Sequence, residues 1–104
     1  MKKGNILSEV NQTLINQLRA LNPFFITEYN IKCVIQINDS KLRLHSRNRG
    51  NVINIDITYN EGLDLYEIQA YRVNGSEATC EQIKDIKEVY VDQLHDIIKE
   101  SLTQ

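Results

Sequence analysis

One short segment, residues 41–49, carries the densest group of cationic side chains in the chain. If this segment is a β-strand, its alternate side chains point to the same face of the sheet. The residues that then share one face, with the last one extending into the following turn, are Lys41, Arg43, His45, Arg47 and Arg49. Because guanidinium forks match the geometry of phosphate oxygens, such a row suits a phosphate backbone. We identify it as a candidate anion- or nucleic-acid-binding site.

A salt-bridged sheet face is the other interpretation of this segment, and the sequence favours it. The residues that the next two predicted strands present outward are Asn54, Asp56, Thr58, Glu67 and Gln69. Cross-strand pairs of opposite charge are common and contribute about 0.2–1 kcal/mol each. The segment also lacks the interleaved aromatic side chains that are typical of single-strand nucleic-acid binders.

The remaining reactive residues form no catalytic or metal-binding motif. The chain has no Gly-x-Ser-x-Gly sequence, no glycine-rich phosphate loop, no cysteine beside a plausible base and no His-x-x-x-His pair. Asp92, His95 and Asp96 lie close together in the sequence, but no second histidine accompanies them. We therefore expect His95 on a solvated helix face, and we predict a non-enzymatic protein without cofactor or metal.

Four tyrosines follow residue 55, and their positions suit the edges of a core: Tyr59, Tyr66, Tyr71 and Tyr90. The alternative is a shallow pocket at the end of the sheet, framed by the segment from Tyr59 to Tyr71. The core position is the favoured interpretation.

The cysteines and the N-terminal residues indicate the compartment. Cys33 lies in an apolar strand pattern, which predicts a buried and reduced thiol, whereas a disulfide with Cys80 would require secretion. The N-terminal residues show no secretory signal, and no stretch approaches the roughly 20 apolar residues of a membrane span. We expect a cytoplasmic protein that does not enter a membrane.

Charge is distributed unevenly along the chain. Residues 1–55 hold eight basic and three acidic side chains, whereas residues 56–104 hold four basic and eleven acidic ones. The simplest interpretation is that the two halves neutralise each other in the fold. A basic face for an acidic partner, with an acidic face opposite, is the alternative.

The positioning elements begin with a helix over residues 7–21. Its apolar residues recur at intervals of three and four, as expected for a helix with one buried face. Asn5 or Ser8 can cap its N-terminus, and Asn22-Pro23 ends it, because proline disfavours helical geometry in the preceding residue.

Four strand patterns follow, joined by short turns, over residues 31–37, 41–47, 53–59 and 63–73. In the first strand the apolar residues alternate and are expected to face the core: Ile31, Cys33, Ile35 and Ile37. Asn74-Gly75 is a strong turn dipeptide. Because consecutive strands with short turns pair antiparallel, the sequence predicts a meander.

Residues 76–87 are ambiguous between a loop, a fifth strand and the start of the last helix, which is predicted over residues 89–102. The predicted architecture is α+β, a single domain over residues 1–104 in the order α-β-β-β-β-α. Its antiparallel meander has four strands, or five with a short additional one, and is packed by an N-terminal and a C-terminal helix.

Two segments resemble a group of short proteins that are often found in phages and mobile elements. Residues 55–75 contain a strand, an Asp-x-Tyr hairpin at Asp64 and Tyr66, and an aromatic strand, and residues 89–102 open a helix with Val-Tyr-x-Asp-x-Leu. The resemblance covers about the last half of the chain and carries no catalytic residues. It implies a small intracellular accessory protein and a break in structure just before Val89.

We therefore predict a small, non-enzymatic accessory or regulatory binding protein of phage or mobile-element origin. It would act through protein–protein contact, and we expect a homodimer, since a half-covered sheet can complete its core across a two-fold interface. The alternative function is nucleic-acid binding through residues 41–49.

Overall fold

The structure, a computed structural model, describes residues 7–74 and 79–103. Its helices are α1 (Glu9–Leu21), α2 (Phe25–Glu28) and α3 (Leu94–Leu102), with a 3-10 turn at Val91–Gln93 before α3. Its strands are β1 (Ile31–Asn38), β2 (Lys41–Asn48), β3 (Asn51–Asn60), β4 (Leu65–Asn74) and β5 (Thr79–Val89). The predicted α+β fold is confirmed, with the fifth strand present. Two predicted features, the Asn5 cap and the turn residue Gly75, lie outside the described residues.

The five strands of the described chain form one antiparallel sheet in the order β1-β2-β3-β4-β5. The core joins one face of this sheet to the helices, through residues such as Leu18, Phe25 and Ile98 on the helices and Leu44 and Ile55 on the strands. We call the opposite surface, which carries the intervening side chains, the open face. No helix of the described residues has the length and apolarity needed to cross a membrane.

Helix α1 begins at Glu9, two residues later than predicted, with Ser8, one of the two predicted caps, as its N-cap. The Ser8 hydroxyl oxygen accepts a hydrogen bond from the backbone N–H of Asn11 at 3.1 Å, which satisfies one of the free donors of the first turn. The same hydroxyl donates to the backbone oxygen of Asp39 at 2.6 Å. The cap therefore also fixes the start of α1 to the β1–β2 turn.

The prediction that β1 buries all four of its alternating apolar residues is wrong, because only Ile31 is buried. A bulge between Ile31 and Cys33 shifts the pairing, so that Cys33 lies opposite His45 and Ile35 opposite Arg43. Since cross-strand partners share a face, Cys33 and Ile35 lie on the open face. The thiol of Cys33 is consequently exposed rather than buried. The exposed large apolar residues of this strand are Val34, Ile35 and Ile37.

The segment that the sequence leaves ambiguous, residues 76–87, belongs to strand β5 from Thr79 onward. The last helix begins later than predicted. Val89 is the final residue of β5, where it is buried and pairs with Tyr66. Glu88 has a positive φ of 58° and lies in β5 where the pairing with β4 shifts register, between Ile86 and Val89. Helix α3 starts only at Leu94 because the intervening turn redirects the backbone first.

Candidate functional site

Strand β2 brings the predicted basic residues together on the open face. Its even-numbered residues Leu42 and Leu44 are buried in the core, so the odd-numbered side chains point the other way. The side chains that share the open face are Lys41, Arg43, His45 and Arg47. Arg49 lies in the β2–β3 turn with a positive φ of 54°.

Arg43 is engaged by a carboxylate on the neighbouring strand. Its Nε donates to Oδ1 of Asp56 at 2.7 Å, and its Nη2 donates to Oδ2 at 2.9 Å. Asp56 is only 3% exposed, although it belongs to the open face. Hydrogen bonding to Asp56 raises the pKa of the Arg43 guanidinium. Arg43 therefore agrees with the interpretation of this segment as a salt-bridged sheet face, and its guanidinium is not available to a phosphate.

His45 is also held by a cross-strand partner. Its Nδ1 lies 2.7 Å from Oδ1 of Asn54, and because an amide oxygen can only accept, Nδ1 carries the proton and donates. The backbone register places Cys33 on the other side of His45, which gives the row Cys33, His45 and Asn54 across three strands. Reasoning from the sequence missed this row, because the residues are far apart along the chain. Cys33 and His45, both described, share no hydrogen bond, so the contact that would activate the thiol is not formed.

The remaining cations of residues 41–49 differ from Arg43 and His45 in their contacts. Within residues 7–74 and 79–103, the lysine and arginine side chains of this group that form no ion pair with a carboxylate are Lys41, Arg47 and Arg49. These three remain the anion-binding candidates.

The expectation that His95 lies on a solvated helix face is wrong. Its Nε2 lies 2.9 Å from the backbone oxygen of Leu18, and its Nδ1 lies 2.6 Å from the hydroxyl of Tyr29. Since the carbonyl oxygen can only accept, Nε2 donates to Leu18, and in the neutral ring Nδ1 accepts from Tyr29. His95 therefore joins α3 to α1 and α2, and it is not free to bind a metal ion with Asp92.

A cavity of about 650 Å³ lies at the end of the sheet, between α1, the β3–β4 turn and the segment before α3. We call it the tyrosine pocket. Its aromatic and acidic lining residues are Tyr59, Tyr66, Tyr90, Glu9, Asp64 and Asp92. The pocket lies at the end of the sheet, as in the alternative interpretation of the tyrosines from the sequence. Its lining differs from that interpretation, because it includes Tyr90 and does not include Tyr71, which lies on β4 opposite Asn54. Tyr90 could not be placed there from the sequence, because that required the path of the chain after β5.

The hydroxyls of two pocket tyrosines are committed to hydrogen bonds. Tyr59 donates to Oδ1 of Asp64 at 2.5 Å, and Tyr66 donates to Oε1 of Gln17 at 2.7 Å. Their ring centroids are 5.4 Å apart with the planes tilted by 55°. The hydrogen bond to Asp64 raises the pKa of Tyr59, and burial raises the pKa of Tyr66. Both tyrosines are therefore neutral near pH 7.

Among the described residues, no group of three or more histidines, cysteines and carboxylates is arranged to hold a metal ion. In comparisons with known proteins, no family model, no curated protein and no solved structure matches the chain.

Proposed function

We propose that the chain is a small, non-enzymatic accessory or regulatory binding protein that acts through protein–protein contact, with a second copy of itself paired along β1. The observation that carries the proposal is the apolar outer edge of β1, which pairs with no other strand of residues 7–74 and 79–103. An exposed, long and apolar edge strand is a ready template for another strand. Ile35, at the middle of this edge, is 43% exposed.

The two edges of the described sheet differ in charge, and this difference supports the choice of β1. Natural proteins protect exposed edges with charged side chains. Strand β5 carries five charged residues, which are Glu81, Lys84, Asp85, Lys87 and Glu88. Strand β1 carries only Lys32. The β1 edge therefore lacks the protection that β5 has.

A register centred on Ile35 makes β1 complementary to itself. In an antiparallel pair related by a two-fold axis, Ile35 lies opposite Ile35 of the second copy. The same register sets Cys33 opposite Ile37 of that copy, so the pairs at the two-fold axis and two residues to either side of it are apolar. Apolar cross-strand pairs contribute about 0.2–1 kcal/mol each, so this ladder favours association.

A cysteine at the two-fold position tests the register. We would prepare Ile35→Cys in a Cys33→Ser/Cys80→Ser background and follow the disulfide-linked dimer under mild oxidation. Directly opposed antiparallel residues have Cα atoms about 4.5–5.5 Å apart, which is within the range that a disulfide spans. Leu63→Cys in the same background is the matched control, because Leu63 is comparably exposed on the β3–β4 turn.

We expect Ile35→Cys to form the linked dimer much faster than Leu63→Cys. Equal rates would contradict the β1 pairing. Sedimentation provides a second readout, in which Ile35→Asp should be monomeric at a concentration where the unmodified chain and Gln82→Asp, on the β5 edge, are dimeric.

The cytoplasm is the proposed location. The free thiols of Cys33 and Cys80 are both exposed, and they lie on opposite edge strands. Four strand spacings of about 4.8 Å separate those edges, which is too far for a disulfide within one chain. Exposed free thiols are typical of reducing compartments. The phage or mobile-element origin remains a prediction from the sequence resemblance.

Nucleic-acid binding is the second candidate function, favoured by the three cations without an ion pair. Its test is fluorescence anisotropy with labelled DNA and RNA at several salt concentrations, using Arg47→Ala/Arg49→Ala. Loss of two phosphate contacts should reduce the slope of log affinity against log salt by about 1.4–1.8. An unchanged slope would remove these residues from consideration. Arg43 is left intact, because its replacement would leave Asp56 without its ion-pair partner.

A further inference from the structure

We propose that the tyrosine pocket binds an organic cation, the ammonium or guanidinium group of a lysine or arginine side chain on a partner protein segment. This site shares no residue with β1 and stands independently of the β1 dimer. Two features of the pocket support it, namely its charge and the arrangement of its rings.

The charge of the pocket is negative. Glu9, Asp64 and Asp92 all line it with exposed carboxylates, and among the described residues its lining contains no lysine, arginine or histidine. Within the described residues, none of these three carboxylates forms an ion pair. An anionic ligand would be repelled, whereas a cation would gain ion pairs with carboxylates that have none.

The rings supply the second attraction. The hydroxyls of Tyr59 and Tyr66 donate hydrogen bonds to Asp64 and Gln17, which orient these two rings. Tyr90 is 59% exposed at the rim of the pocket. A cation over the face of a tyrosine ring is attracted by the negative potential of the π system, by about 0.5–1 kcal/mol at an exposed site. Rings beside carboxylates therefore form a suitable environment for an ammonium or guanidinium group.

The size and apolar lining of the pocket favour a side chain on a peptide over a bare ion. The volume of about 650 Å³ is far larger than a metal ion needs. It falls in the usual range of roughly 300–1,000 Å³ for organic ligands. Val10, Leu65 and Val91 also line the pocket and can contact the methylene stem of a lysine or arginine. The occupant is therefore a basic segment of a partner protein.

The test is a titration of the full chain against fluorescein-labelled peptides of equal length. The probe peptides alternate glycine with lysine or with arginine, and the control peptides alternate glycine with glutamine or with glutamate. We expect the two basic peptides to bind and the neutral and acidic peptides not to bind. Equal binding of the glutamine peptide, or no binding of either basic peptide, would overturn the proposal.

Two pairs of variants locate the binding. Asp64→Asn/Asp92→Asn should weaken binding of the lysine peptide about five- to tenfold, as expected for the loss of two exposed ion pairs. Asp39→Asn/Asp96→Asn removes the same net charge from exposed positions outside the pocket, and it should change the affinity less than twofold. Equal effects of the two double variants would mean that only the net charge matters, which contradicts a site in the pocket.

The ring is tested separately at Tyr90. Tyr90→Ala should weaken binding about two- to fivefold, whereas Tyr90→Phe, which keeps the ring, should bind like the unmodified chain. Because Tyr90 is exposed, neither change is expected to unfold the protein. If Ala and Phe behave alike, the ring does not contact the cation. Failure of these tests leaves the disulfide test at Ile35 unaffected, so the two proposals can be distinguished.

Discussion

At the scale of single residues, the pair formed by Arg43 and Asp56 determines how β2 can act. Asp56 is almost completely buried and has both carboxylate oxygens bonded to the guanidinium of Arg43. A carboxylate without such a partner would be costly at this depth. The most central cation of the predicted anion site is therefore a structural residue, and the peripheral cations are the ones left for a ligand.

We expect Arg43→Ala to lower the free energy of unfolding by about 1–3 kcal/mol, because it leaves the buried carboxylate of Asp56 without its charged partner. Arg47→Ala is the matched control on the same strand and the same face. Arg47 is exposed, so its replacement should change the unfolding free energy by less than about 0.5 kcal/mol. Urea denaturation measures both variants, and equal losses would contradict the structural role of Arg43.

The burial of the Tyr29 hydroxyl has a consequence for alkaline stability. Burial raises the pKa of the Tyr29 hydroxyl above its ordinary value, so the folded state holds this proton more tightly than the unfolded chain does. The stabilisation that Tyr29 gives the fold is therefore constant below the ordinary tyrosine pKa of about 10. The free energy of unfolding falls as the pH rises above that value.

We expect Tyr29→Phe to be less stable near neutral pH, by about 1 kcal/mol for the lost hydrogen bond. Its stability should also decline less steeply than that of the unmodified chain above pH 10, because the titrating group is gone. Thermal unfolding across a pH series measures both effects. Tyr90→Phe, which removes an exposed hydroxyl, is the control. An unchanged alkaline slope in Tyr29→Phe would contradict this account.

The residue contacts show which parts of a site the sequence can predict. Opposite charges on adjacent strands were sufficient to anticipate a pair such as Arg43 and Asp56, because neighbouring strands in a meander have a simple register. The partners of His95 could not be anticipated, because Leu18 and Tyr29 reach it through the packing of helices. Sequence periodicity gives the buried face of a helix but not the helix it meets.

At the scale of elements, the bulge in β1 explains why the alternation of its apolar residues predicts the wrong buried face. Both faces of β1 carry apolar residues, since Val34 interrupts the alternation of Cys33 and Ile35. Alternation therefore identified the strand but did not decide which set faces the core. The pairing of Cys33 with His45, set by the bulge, decided it. A single inserted residue thus produced the apolar edge on which the proposed dimer depends.

Glu88, in β5, has a backbone conformation that is unfavourable for a residue with a side chain. It has a positive φ of 58°, a conformation that costs a residue with a Cβ atom roughly 1 kcal/mol. We expect Glu88→Gly to raise the free energy of unfolding by up to about 1 kcal/mol. Gln82→Gly, in the interior of the same strand, should instead lower it by about 0.5–1 kcal/mol. Thermal denaturation compares the two variants, and a loss of stability in both would contradict the interpretation.

At the scale of the whole molecule, the meander converts sequence order into spatial order. Because each strand pairs with the next one along the chain, the basic half of the sequence supplies β1 and β2, and the acidic half supplies β4 and β5. The uneven charge found along the sequence is therefore a charge difference across the sheet. It leaves a charged edge at β5, a weakly charged apolar edge at β1, and an acidic pocket at the sheet end.

This asymmetry predicts how the two edges respond to protein concentration. If two copies pair along β1, the outward amides of Cys33–Ile37 gain hydrogen-bond partners only in the dimer. Hydrogen exchange of these amides should therefore slow as the concentration rises through the dimer dissociation constant. The amides of β5 should exchange at the same rate throughout, which makes β5 an internal control. Slowing of exchange at both edges would indicate general stabilisation of the fold and would contradict pairing along β1. No change at β1 would mean that its edge stays open in solution. The tyrosine pocket would then be the principal candidate for protein contact.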